Sequence, residues 1–93
     1  MTNNINDTLA ERGERYGDFA DHAEVTQKLK YVAGFHLRSF GRALAHDQQE
    51  ALDMIFHKIG RIINGDPNYA DSWVDIAGYA QLVANRLNGD GVQ

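Results

Sequence analysis

The sequence predicts an all-α protein, a bundle of three or four helices that ends in an antiparallel helical hairpin. Apolar residues recur at intervals of three and four over several stretches, which is the period of an amphipathic helix. No stretch shows the strict alternation of a strand, and glycine, asparagine and the single proline separate the helical stretches. With 93 residues, the chain is expected to be one domain, residues 1–93, with loose tails at 1–6 and 89–93.

Composition excludes several classes of protein. There is no cysteine, so disulfides and thiolate metal sites are excluded. No apolar run approaches the ~18 residues of a membrane span, and the first residues do not resemble a signal peptide, so we expect a cytoplasmic protein without a membrane partner. A net charge of −4 without a Lys/Arg cluster argues against a nucleic acid partner. A core this small favours completion by a homo-oligomer, most simply a dimer.

The first two helices carry the weaker patterns. A short first helix is predicted to begin at Asp7 and to stop within residues 13–17, where two glycines interrupt it. Asp18 is predicted to cap the second helix, which ends near Gly41. The apolar row of this helix consists of Val25, Leu29 and Val32.

The third helix has the clearest period. It is predicted to begin at Asp47, which has capping-box spacing to Glu50. It should end at Asn64, where Gly65 would adopt a left-handed C-terminal turn, and Pro67 prevents continuation. Its apolar face consists of Leu52, Ile55, Phe56, Ile59, Ile62 and Ile63.

The fourth helix is predicted to start within residues 68–71 and to end at Asn88 and Gly89. Because only a few residues separate it from the third helix, the two must form an antiparallel hairpin, whose apolar face the second helix should cover. Four residues of this helix would suit close packing in a dimer: Trp73, Ala77, Gly78 and Ala80.

Two acidic pairs on the hairpin predict a metal site. Glu50 and Asp53 are three residues apart, and Asp71 and Asp75 are four apart, so each pair projects from one face of its helix. Carboxylates on facing helices are the ligands that Mg²⁺ takes in a bundle. The sequence therefore makes these four residues the candidate magnesium ligands.

A structural interpretation competes with the metal site. In a hairpin centred near Asp66, Asp75 lies level with His57 and Asp71 lies level with Arg61. These acids would then form ion pairs between the helices and have no metal-binding role.

Other candidate residues lie close by. Lys58 and Arg61 are predicted to contact phosphate, with possible support from His57 and Trp73, although each also suits an ordinary surface, ion-pair or core position. No Ser/His/Asp arrangement is present, so catalytic residues are unassigned. A further candidate phosphate contact precedes the Tyr-Gly-Asp turn and consists of Arg12, Arg15 and Tyr16.

Three segments carry a resemblance: ERGERYGDF, EALDMIFHKIGRIINGDP and DSWVDIAGYAQLV. Together they resemble a family of small phage and prophage proteins of uncharacterised function over about two-thirds of the chain. The order of the acidic pairs is also similar to the MazG-like all-α nucleoside triphosphate pyrophosphohydrolases. Those enzymes hold Mg²⁺ with ExxE and ExxD motifs and cleave between the α and β phosphates. Here Asp53 replaces the second Glu, and Asp71 and Asp75 are spaced by four instead of three.

The resemblance implies a small phage protein that binds a nucleotide with Mg²⁺, or a nucleotide pyrophosphohydrolase-like enzyme. The alternative is an acidic phage protein that binds and inhibits a host protein, such as a component of a defence system. That function would use surface acids that mimic phosphate, namely Asp18, Asp21, Glu24, Asp47, Glu50 and Asp53.

Overall fold

A computed structural model describes residues 3–89, which form four helices. They are α1 (Asn3–Tyr16), α2 (Phe19–Ser39), α3 (His46–Asn64) and α4 (Ala70–Leu87). The all-α prediction is confirmed, since the described residues contain no strand. Residues 1–2 and 90–93 of the expected tails lie outside the described residues. No helix among residues 3–89 combines the length and the apolar character that a bilayer crossing requires.

The first helix begins earlier than its sequence indicates. It starts at Asn3, so the predicted start at Asp7 is wrong by four residues, and residues 3–6 are helical. The Thr8 hydroxyl donates a hydrogen bond to the Asn4 carbonyl at 2.8 Å, so this residue lies within a turn of helix and does not cap one.

The predicted capping box of α3 is also displaced. The Gln48 side-chain oxygen accepts a hydrogen bond from the Ala45 backbone N–H at 2.9 Å, so half of a capping box lies two residues before the expected Asp47–Glu50 pair. Alanine has no side-chain acceptor for the other half. Asp47 is unavailable as a cap because both of its oxygens bind the Arg86 guanidinium, at 2.6 and 2.8 Å. A tertiary ion pair has thus replaced the local cap.

The hairpin of α3 and α4 is antiparallel, as predicted. Asp47 in the first turn of α3 meets Arg86 in the last turn of α4. Midway along the hairpin, Lys58 Nζ lies 2.9 Å from a carboxylate oxygen of Asp75. The register is therefore one residue from the predicted one, in which His57 lay level with Asp75.

Of the two hairpin helices, α2 packs, in the described part of the chain, against α3 and not against α4. In residues 3–89, α2 does not reach α4, so the prediction that it covers both helices of the hairpin holds only for α3. Gly60 permits the close approach, because a Cβ there would lie 2.6 Å from Thr26 Oγ1 and 2.9 Å from the His22 ring. His22 and Thr26 are accordingly buried at this crossing.

Two turns that are distant in sequence dock against each other. The Asn64 side-chain amide donates hydrogen bonds to the Asp18 carbonyl at 2.8 Å and the Tyr16 carbonyl at 3.4 Å. In return, the Asp66 backbone N–H donates to the Arg15 carbonyl at 2.8 Å. The α1–α2 turn is thereby fixed to the α3–α4 loop.

Glycine is required on both sides of this contact. Gly17 has a φ of +81°, and a Cβ there would lie 2.1 Å from the Asn64 carbonyl oxygen. Gly65 has a φ of −126°, so the predicted left-handed turn is wrong. Glycine is needed here because the backbone of Tyr16 packs against this position, and a Cβ on Gly65 would lie 2.4 Å from Tyr16 Cα.

Candidate functional site

The docked turns bring two arginines and two tyrosines into one cluster. The Arg61 guanidinium lies 4.1 Å from the centroid of the Tyr16 ring, and the Arg15 guanidinium lies 4.6 Å from that of Tyr69. The two tyrosine rings meet edge to face with centroids 6.0 Å apart. Such contacts hold guanidinium groups in place and leave N–H donors that are not otherwise engaged available to a ligand.

An acid on α4 closes the cluster. Arg15 Nη1 donates to the Tyr69 hydroxyl at 3.3 Å, and that hydroxyl donates to Asp71 at 3.0 Å. The hydrogen bond to Asp71 raises the pKa of the Tyr69 hydroxyl, and the neighbouring Tyr69 raises the pKa of Arg15. Both groups are therefore held in their protonated forms.

A cavity of about 270 Å³ opens beside this cluster, and we call it the arginine cavity. Three guanidinium groups line it, those of Arg12, Arg15 and Arg61. Thr8, Glu11 and Tyr16 complete its wall. Glu11 lies 3.5 Å from Arg15, and its side chain is largely exposed whereas that of Arg15 is partly buried, so it offsets only part of the positive charge.

A second cavity of about 470 Å³ adjoins the first and shares Arg12, Tyr16 and Arg61 with it. We call it the apolar cavity because Leu9 and Phe19 contribute hydrophobic surface. The two cavities therefore lie side by side, one lined mainly by arginines and the other partly by apolar side chains.

A histidine pair forms part of the apolar cavity. His22 Nε2 lies 3.2 Å from His57 Nδ1, and the rings meet edge to face. Burial, with smaller contributions from the charges of Arg61 and His22, lowers the pKa of His57 to about 4. Burial also lowers the pKa of His22, whose Nδ1 lies against Gly60 and has no hydrogen-bond partner in the described chain. Both rings are neutral at pH 7.

This pair makes stability depend on pH. The unfolded chain protonates His57 near its ordinary pKa of about 6.5, whereas the folded protein protonates it near 4, so the unfolded state binds the proton first. The contribution of His57 to the free energy of unfolding is therefore present above pH 6.5 and is lost as the pH falls to 4, a decrease of about 2 to 3 kcal/mol.

Urea denaturation at pH 7.5, 5.5 and 4.5 measures the decrease. His57→Gln should flatten the slope and His46→Gln, at an exposed position, should not; equal slopes in all three proteins would contradict the assignment.

The four predicted magnesium ligands do not converge. Asp75 is paired with Lys58, Asp71 accepts the Tyr69 hydroxyl, and Asp53 accepts the Gln49 side-chain amide at 3.1 Å. Within residues 3–89, no three His, Asp or Glu side chains are grouped so as to hold a metal ion.

Glu50, one helical turn from Asp53, lies far from the arginine cavity. It lines a separate cavity of about 230 Å³ at the far end of the hairpin, beside Tyr79. Arg61 lies eleven positions later on α3, which is roughly 16 Å of helix. The structural interpretation, in which the acids form ion pairs between the helices, holds for Asp75, which is paired with Lys58 of α3.

Of the four predicted phosphate-binding and supporting residues, two line the cavities and two have other partners. Arg61 lines both cavities and His57 lines the apolar one. Lys58 is committed to Asp75 and its side chain is only 11% exposed. The Trp73 indole N–H donates to the Pro67 carbonyl at 2.9 Å, so this residue closes the α3–α4 loop.

Sequence reasoning gave too little weight to Arg12, Arg15 and Tyr16 and missed His22. The signal was present for the arginines, which are three residues apart and share a face of α1. No spacing in the sequence links His22 to His57, because their contact depends on how α2 crosses α3.

Comparison with protein families gives one finding. Residues 3–87 match the family model described as "Domain of unknown function (DUF6378)". No curated protein and no solved structure gives a significant match to the chain.

Proposed function

We propose that this chain, which belongs to the DUF6378 family, binds a nucleotide, with its phosphates in the arginine cavity and its base in the apolar cavity. The observation that carries the proposal is the grouping of Arg12, Arg15 and Arg61 around one cavity. Guanidinium groups pair with phosphate oxygens through two parallel N–H donors, so three of them around one cavity match a di- or triphosphate.

The charge around the cavity supports an anionic ligand. The chain has only nine Lys and Arg residues and a net charge of −4, yet three of those nine line the arginine cavity. Glu11 and Asp71 are the acids beside them, which leaves a local excess of one positive charge.

The size and lining of the apolar cavity support a nucleoside. Its volume of about 470 Å³ lies within the usual range of small-molecule sites. Tyr16 and Phe19 offer aromatic surface to a base, and the neutral imidazole of His57 offers a hydrogen-bonding edge.

Magnesium-dependent hydrolysis, which the resemblance implies, stays a separate prediction. Of its four acids, Asp71 adjoins the arginine cavity through Tyr69, whereas Asp75 lies one turn further along α4 and is paired with Lys58. As they stand, these residues do not fit a shared metal ion. The proposal is therefore restricted to binding.

The alternative, an acidic phage protein that inhibits a host factor, has weaker support. Asp18, Asp21 and Glu24 lie at the start of α2, but Lys28 pairs with Glu24 at 2.6 Å. Asp47 is likewise paired with Arg86. Because two of the six acids are already neutralised and the others do not line any of the three cavities together, the arginine cavity is the more specific feature.

Titration calorimetry with nucleoside mono-, di- and triphosphates, with and without Mg²⁺, tests the proposal. We expect affinity to rise with each added phosphate and to fall with salt, and inorganic pyrophosphate to bind more weakly than a nucleotide. A nucleotide at 100 times its Kd should stabilise the fold by about 2.7 kcal/mol, which a thermal melt detects. Absence of heat and of any thermal shift across the series would overturn the proposal. Release of pyrophosphate in the Mg²⁺ samples would add hydrolysis to binding.

A further inference from the structure

One flank of α2 presents a row of exposed apolar residues, which we call the α2 face. Its members are Tyr31, Val32 and Phe35, whose exposed fractions lie between 56% and 67%. The rings of Tyr31 and Phe35 are stacked, with centroids 6.4 Å apart, so these two side chains form one apolar surface. Exposed apolar patches of this kind mark interaction surfaces in proteins.

The whole chain exposes more surface than a compact protein of its size. Its accessible area is 6832 Å², whereas the usual scaling for 10.4 kDa gives about 5,400 Å². The Cα radius of gyration is 15.8 Å, against about 12 Å for a compact domain of 93 residues. Among the described residues, Ala51 is the one apolar residue that is buried. A single copy therefore leaves its core open.

The excess area is large enough for a dimer interface. It amounts to about 1,400 Å² per chain, and a stable dimer of ordinary size buries about 800 Å² per partner. A second copy supplies an equal apolar surface, and a two-fold axis lets one patch cover its own image. An anionic lipid surface is disfavoured because the net charge is −4 and the Glu24–Lys28 pair beside the face is neutral.

We propose that the α2 faces of two copies pack together in a homodimer. This places the interface on α2, not on the small residues of α4 that the sequence suggested. Ala77 and Gly78 are exposed on α4, and no described atom lies within 4 Å of a Cβ placed at Gly78. The two surfaces are therefore distinguishable by substitution.

Two valines provide a matched test. Val32 is 66% exposed on the α2 face, and Val74 is 65% exposed on α4, on the same side as Ala77 and Gly78. Light scattering during gel filtration should give twice 10.4 kDa for the unchanged protein and for Val74→Glu. Val32→Glu should give 10.4 kDa with an unchanged helical circular dichroism spectrum. A monomeric unchanged protein, or dissociation by Val74→Glu instead, would overturn the proposal.

Thiol labelling keeps the test independent of a disruptive charge. The chain has no cysteine, so Val32→Cys and Val74→Cys each introduce a single thiol of similar size to the valine replaced. A maleimide should react with the cysteine at position 32 at least about tenfold more slowly than with that at 74, because the interface covers it. The difference should disappear on dilution below the dimer Kd. Equal rates at high protein concentration would contradict the interface.

Discussion

Replacing Gly17 with alanine is expected to destabilise the fold by more than about 3 kcal/mol, enough to lower Tm by more than about 12 °C. Two costs combine at this position. Its φ of +81° is strained for any residue with a side chain, and the new Cβ would lie 2.1 Å from the Asn64 carbonyl oxygen. Because that oxygen belongs to the backbone, the clash can be relieved only by separating the two docked turns.

Gly41 is the matched control for this substitution. Its φ is +62°, and no described atom lies within 4 Å of a Cβ placed there. Gly41→Ala should therefore cost only the backbone strain, about 1 kcal/mol. Urea denaturation of the two variants and the parent, at one protein concentration, measures the difference. Equal losses in the two variants would show that the close approach of the turns contributes nothing to stability.

Separating the turns should also disturb the arginine cavity. Arg15 and Tyr16 precede Gly17 directly, and the Arg15 carbonyl is fixed by the Asp66 N–H. Gly17→Ala should thus weaken nucleotide binding at temperatures where it is still folded, while Gly41→Ala should leave binding unchanged. Loss of stability without loss of binding would mean that the arginines keep their positions without the docked turns.

Periodicity in the sequence was sufficient to predict most of the fold. The apolar rows and their glycine boundaries located the end of α3 at Asn64 and both ends of α4, and the short loop required an antiparallel hairpin. The prediction failed where a distant residue competes with a local signal. Asp47 had cap spacing to Glu50, but Arg86, 39 residues away, provides two charged hydrogen bonds instead.

The candidate site was less predictable because no local pattern encodes the docking of two turns. Both turns were recognised as separate helix boundaries. The Asn64 side chain joins them by hydrogen bonds to Asp18 and Tyr16, which precede it in the sequence by 46 and 48 positions. The regular spacing of the acidic pairs predicted a site, whereas Arg12, Arg15 and Arg61 are grouped only after folding. Regular spacing reports which residues share a helix face, and it does not report which faces meet.

Arg61→Ala is expected to reduce nucleotide affinity by about 10- to 100-fold, the usual effect of losing a hydrogen bond to a charged group. Arg61 is the arginine best placed to act on the ligand because it lines both cavities and is held over the Tyr16 ring at 4.1 Å. Arg61→Lys keeps the charge but loses the planar donor edge, so it should recover only part of the affinity. Titration calorimetry with the best nucleotide of the series measures all three proteins.

Arg42→Ala separates a local contact from a general change in charge. Arg42 is exposed after α2 and lines neither cavity, yet its removal lowers the net charge by the same amount. Arg61→Ala should also raise the pKa of His57 from about 4, because it removes a nearby positive charge, and NMR titration of the imidazole would report this. Equal affinity losses in the two variants would show that only overall charge matters. An unchanged pKa of His57 would show that Arg61 does not face the histidine pair in solution.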